Sequence, residues 1–261
     1  MTQTEDSVKR ITFRRIINQL IYDLNKLIRA LEKYLTDYIN ELNITLISED
    51  ITDINPQNVL SFNYTNTYDR KYGLNDEIDY DYIHGLAKSD GTLDTNNMVL
   101  GIDEYLIDGK ENIELDFIEF KKYFQRIHKE TGCIYKEWLN KIKYNYYLNY
   151  DSDKAKEFEV KDSENTFEKK GSIKNSNSAL MKNHLYIFGH SLDVTDKDIL
   201  KELILCENVL TTIFYHTKEN YAQQIANLVK IIGQEEVIKR TGGPSKTISF
   251  VKQKELLNNE E

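Results

Sequence analysis

The chain has 261 residues, a net charge of -9 and 40% hydrophobic residues. That length allows one large or two small domains with a real core, and the acidic balance argues against general nucleic-acid or membrane-surface binding. Its two cysteines, Cys133 and Cys206, lie far apart and make no CxxC, which suits reduced thiols in a cytoplasmic protein. No apolar run reaches membrane-span length and the start carries no signal-peptide pattern, so no membrane partner is expected.

Residues 1–8 are polar and are expected to fray. From 8 to about 42 the periodicity predicts one long helix. Ile17, Leu20, Leu24, Leu27, Leu31, Leu35, Ile39 and Leu42 recur every three or four residues, and Ile21 and Ile28 widen the stripe. The helix is long enough to pair with another copy of the chain, or to cover its own sheet, so homo-oligomerisation stays open. Residues 58–64 (NVLSFNY) read as a strand ending in the polar cluster Asn63, Tyr64, Thr65, Asn66 and Thr67. Residues 68–73 suggest a helical turn, 79–84 a second strand ending in His84-Gly85, and 98–102 a third. Residues 116–148 read as one or two helices, broken at Thr131-Gly132. One face carries Phe117, Phe120, Phe124 and Ile127, and another carries Ile134, Trp138 and Ile142. The charge-dense, aliphatic-poor stretch 151–178 is expected to be an exposed polar insertion.

The stretch 184–205 (HLYIFGHSLDVTDKDILKELIL) organises the rest. A short apolar strand over 185–188 ends at Gly189, and Ile199, Leu200, Leu203 and Ile204 open a helix, with Thr195 and Asp198 spaced as a capping box. Residues 210–216 predict another strand. Residues 218–232 predict a helix with Tyr221, Ile225, Leu228, Val229 and Ile232 inward and Gly233 as its cap. A short helix over 234–240 and a strand over 246–251 complete the chain. The alternation of strands and helices points to an α/β fold, a mainly parallel Rossmann-like sheet with flanking helices in a single domain over 1–261.

In a parallel sheet the carboxyl ends of the strands share one rim, so Asn63 to Thr67, His84-Gly85 and Gly189 to Asp193 could converge there. His84 is the best catalytic candidate, because imidazole titrates near neutrality and the neighbouring Gly85 lets a ligand approach the backbone. Asn63 can orient a water or a sugar hydroxyl through its amide. Thr65, Gly189, His190, Ser191 and Asp193 are candidate ligand contacts, with His190 also a candidate second acid-base group. The plain alternatives are a His finishing an edge strand, a turn-forming Asn and an ordinary βα turn. No metal is expected, since the histidines lack HxxxH spacing and the cysteines have no partner. There is no GxxxxGK[ST] loop, GxGxxG or nucleophile elbow. Asp196 and Asp198 would repel a phosphate, so the turn at 189–193 suits a ribose or base better than a pyrophosphate.

The series SFNYTNTYD, IHG, YIFGHSLDVTDKDIL and TIFYHTKENYAQQIANLVKIIGQ resembles the bacteriophage abortive-infection AbiH family, in order from about Val59 to Val251, with the long helix before it also similar. That family in turn looks like a remote branch of the sirtuin-like, NAD-binding folds. The resemblance implies bacterial anti-phage defence and a pocket for NAD or a related nucleotide. It places Asn63 on the ribose or attacking water, His84 as general base, and Gly189 with Ser191 on the adenosine side. The implied reaction is NAD glycohydrolysis or a related transfer. Thr65 stands where the sirtuin-like pattern has Asp. The GNGFDL-type Gly-rich loop with which AbiH-like chains begin is also missing here, so truncation or loss of that loop is expected. Two other readings stand beside this one: a non-catalytic defence component that senses a phage-encoded trigger through protein contacts, and an inactive truncated fragment.

Overall fold

A computed structural model of the protein describes residues 2–73, 77–102, 116–155, 157, 182–244 and 246–258. The chain divides into two compact units, residues 1–133 with 255–261, and residues 134–254. Of the expected polar insertion over 151–178, residues 156 and 158–178 lie outside the described residues.

The first unit opens with α1 (Thr2–Tyr34), which starts six residues ahead of the expected helix and closes in a π-helical turn over Leu35–Ile39. Its inward face carries Ile17 and Ile28, both 1% exposed. Burying side chains of that size stabilises by about 1.5–3 kcal/mol each. Leu20, Leu27 and Leu42, expected on the same stripe, are exposed. The stripe read from periodicity is wider than the surface this unit offers α1. Ile28 packs with Ala87 and Met98, and Leu24, Leu31, Leu35, Tyr64 and Leu100 close around them.

β1 (Leu46–Ile47), α2 (Glu49–Thr52), β2 (Asn58–Ser61), α3 (Thr67–Tyr72) and β3 (Asp79–Tyr82) follow. β2 and β3 are parallel, with Asn58 opposite Asp79 and Ser61 opposite Tyr82. The expected strand over 98–102 does not form. Instead the Gln125 amide reads the Leu100 backbone as a neighbouring strand would, accepting from its N–H and donating to its carbonyl, each at 3.1 Å. Only Ile102 makes a β-bridge, to Lys121. A 3-10 turn over Ile118–Phe120 leads into α4 (Lys122–His128), and Gly132 at φ +90° ends this stretch as the sequence predicts.

The second unit begins with α5 (Tyr135–Tyr150), whose buried residues are Tyr135 and Leu139. The inward face is one position on from the one expected, and Ile134 is exposed. α6 (Ser152–Ala155) is a single turn. Then come β4 (Asn183–Ile187), a 3-10 turn over Val194–Asp196, α7 (Lys197–Leu205), β5 (Val209–Tyr215), α8 (Lys218–Ile232), α9 (Gln234–Thr241) and β6 (Ile248–Lys252). The three strands form a parallel sheet in the order β4-β5-β6, which needs a helical crossover at each connection. Ile213 and Ile248, both 0% exposed, sit on the same face in adjacent strands. Asp193 caps the 3-10 turn that leads into α7, its carboxylate accepting from Thr195 N at 2.9 Å. A capping box opens α8, formed by Thr217 and Asn220. On α8 the buried residues are Gln224, Asn227, Leu228, Ile231 and Ile232, whereas Tyr221, Ile225 and Val229 are only half-buried. β7 (Leu257–Asn258) belongs to the first unit and pairs antiparallel with β1.

The architecture is therefore α/β, with small, mostly parallel sheets and a long opening helix. Among the described residues no helix is long and apolar enough to cross a membrane.

Candidate functional site

In the first unit, the parallel register of β2 and β3 carries both chains out at one edge. Ile83 N donates to Ser61 O at 3.1 Å, extending the ladder by one bond. Phe62, Asn63 and Tyr64 then leave β2 beside His84 and Gly85 leaving β3. The His84 ring meets Phe62 edge-on at 5.6 Å between centroids and Tyr64 at 6.5 Å. His84 is 4% exposed, while Asn63 stands in solvent. Asn63 N donates to Ser61 Oγ at 3.2 Å, which holds the turn and leaves the exposed amide to face outward. Thr65 Oγ1 lies 2.9 Å from Thr67 Oγ1.

Segment 86–100 closes the inner side of this edge. Val99 N donates to His84 O at 2.8 Å, Ala87 N to Tyr64 O at 2.8 Å, and the Tyr64 hydroxyl to Val99 O at 2.6 Å. Gly85 has φ +80°, and a Cβ there would meet the Asn97 carbonyl oxygen at 2.2 Å. The glycine makes room for the protein's own backbone rather than for a ligand. Glu32 of α1, 1% exposed, anchors the same segment. Its carboxylate accepts from Lys88 N at 3.0 Å, pairs with Arg29, and fills the space beside Gly91. Burial pushes the Lys129 amine below its usual range, and Glu32 opposes that shift. Nothing in the helical periodicity marks Glu32 beyond its being a charged residue near the inward stripe of α1.

In the second unit the carboxyl edge is the turn from Gly189 to Asp193. Gly189 has φ +62° with nothing within 4 Å of where a Cβ would stand, and Ser191 and Asp193 are exposed. His190 is committed inside the turn. Its Nδ1 accepts from Leu192 N at 2.9 Å, and its Nε2 lies 3.6 Å from the buried Asp196 carboxylate. The first contact makes Nδ1 the acceptor and so puts the neutral ring's proton on Nε2, facing Asp196. α8 holds the turn from below: Gln224 donates to His190 O at 3.1 Å and Phe214 O at 3.2 Å, and Asn227 donates to Ser191 O at 2.9 Å. Asn63, Thr65, His84 and Gly85 thus share one edge of the first unit, and Gly189, His190, Ser191 and Asp193 share one turn of the second.

The family model for bacteriophage abortive infection AbiH matches residues 2–215. The chain belongs to the AbiH family. No curated protein and no solved structure gives a significant match. The AbiH match starts with α1 and ends with the last residue of β5, so α8, with Gln224 and Asn227, lies beyond it. Both were missed as site residues. Their signal was a polar pair three apart on the same helical face as Leu228 and Ile231, which a solvated helix does not place there. Elsewhere in this AbiH chain, a cleft of about 300 Å³ is lined by Lys143, Lys201, Glu202, Cys206 and Glu207 among others. Burial pushes the Cys206 thiol up to about 11, so it is not a ready nucleophile. Among the described residues no group of three or more His, Cys, Asp or Glu could hold a metal.

Proposed function

We propose that this abortive-infection protein binds NAD or a related nucleotide at the carboxyl edge of β2 and β3 and cleaves it at the nicotinamide ribose. The observation that supports this is the adjacency of Asn63 and His84 on two parallel strand ends, with the Phe62 ring against the imidazole. The reading takes the parallel strands as elements of a Rossmann-like, sirtuin-like arrangement, whose ligands lie at such edges. Asn63 orients a ribose hydroxyl or the attacking water. The bond from ribose C1′ to the nicotinamide nitrogen breaks, nicotinamide leaves with the bonding electrons, and the water oxygen adds to C1′ while its proton passes to His84. The 4% exposure of His84 makes Phe62 and Tyr64 the gate to it. Gly85 is filled by Asn97, so it is no phosphate cradle, and the exposed Asn63 and half-buried Thr65 suit sugar hydroxyls better than a pyrophosphate.

The same burial of His84 favours a second reading, in which the protein is a non-catalytic sensor and the imidazole is a packed structural group. Nicotinamide release and NAD titration on the full chain separate the two. The first reading expects NAD consumption that falls about 10²–10⁴-fold in His84→Gln, with Asn63→Ala weakened at unchanged melting temperature. Wild-type consumption by His84→Gln, or no NAD binding by the unaltered protein, overturns it.

A further inference from the structure

α1 carries a second apolar stripe that the first unit meets only at Phe13, whose ring lies edge-on to Phe117 at 6.1 Å. Phe13, Ile16, Leu20, Leu27, Tyr34 and Tyr38 are between 39% and 66% exposed. They recur at steps of three, four and seven, about a quarter turn from the inward Ile17 and Ile28. Phe13, Leu20, Leu27 and Tyr34 repeat every seven residues, the seam spacing of paired helices. Tyr34 and Tyr38 stack at 5.8 Å and extend the stripe past the end of α1. We infer that this stripe is the contact between two copies of the chain, joined antiparallel through α1 about a two-fold axis near Asn25.

Charge selects this occupant, because the stripe is self-complementary. Asp23 is exposed within the seam, and Lys26 flanks it one turn on. In an antiparallel pair centred near Asn25, Asp23 of one copy lies beside Lys26 of the other, twice by symmetry. The basic end, with exposed Arg10 and Arg15, then runs past the acidic end of the other copy, with exposed Asp37 and Glu41. The same axis sets Ile16 against Tyr34 and Leu20 against Ala30. A parallel pair would place Asp23 on Asp23 and arginines on arginines, which is repulsive.

Sedimentation velocity on the full chain at low micromolar concentration tests this. The expected mass is twice that of one chain. Leu20→Glu with Leu27→Glu should give single-chain mass with unchanged circular dichroism, because both side chains are exposed. Asp23→Lys should weaken the dimer about tenfold through its two symmetric contacts, and adding Lys26→Asp should restore it. The inference is overturned by an unaltered chain that stays monomeric, by a dimer indifferent to the Leu20 and Leu27 changes, or by Asp23→Lys tightening it.

Discussion

Two strand ends of this protein carry a left-handed glycine, and they use it in opposite ways. Gly85 follows β3 in the first unit at φ +80°, with the Asn97 carbonyl occupying the space of a side chain. Gly189 follows β4 in the second unit at φ +62°, with open space around it. The first edge is closed by segment 86–100 and tied to α1 through Glu32, and its histidine is buried. The second is held from beneath by Gln224 and Asn227, and its backbone faces outward with Ser191 exposed. Similar strand-to-turn sequences therefore build a packed wall in one unit and an open shelf in the other. The triplets Ile83-His84-Gly85 and Phe188-Gly189-His190 do not announce which is which.

Substitutions sharpen that contrast. Gly85→Ala forces both a positive φ and a clash with backbone, and should cost about 4 kcal/mol in urea unfolding. A loss below about 1 kcal/mol would mean segment 86–100 is not packed as described. Glu32→Ala leaves Arg29 and Lys129 without their buried carboxylate and should cost about 3–5 kcal/mol by the same measurement. Gln224→Ala strips a donor from the carbonyls of His190 and Phe214, for about 2 kcal/mol. Gly189→Ala meets no atom and pays only for its backbone, about 1 kcal/mol. Equal costs at Gly85 and Gly189 would erase the distinction between the two edges.

The smallest effect is one of pH and lies within the first unit. Burial first, then the neighbouring Asp69, pushes the Tyr80 hydroxyl up to about 12 from its ordinary 10.0. A phenol harder to ionise in the folded chain contributes stability that is full below pH 10. That stability is lost as the pH rises toward 12, because the unfolded chain gives up its proton first. Tyr80→Phe should flatten the alkaline decline in melting temperature over that window and leave the neutral value nearly unchanged. An identical alkaline limb in the variant would remove Tyr80 from the account.

Local chemistry in the sequence determined a good deal. The 218–232 helix, the glycine after it, the strands at 58, 79, 183, 209 and 248, and the emergence of Asn63 and His84 at strand ends follow from periodicity, β-branched runs and glycine placement. Those signals act within a few residues, so they survive without knowledge of the fold. What tertiary structure decided depends on partners distant in sequence. Met98 to Ile102 has strand composition but no strand to pair with, because the Gln125 side chain takes that place. His84 reads as a histidine at a strand end, and only the fold shows that segment 86–100 and two aromatic rings enclose it. Glu32 and Gln224 look like surface residues until the segments whose backbones they hold arrive, 56 and 34 residues away in the chain. A helical stripe shows how much apolar surface a segment has to bury; only the assembled unit shows which part is covered, and Leu20, Leu27 and Leu42 are left exposed.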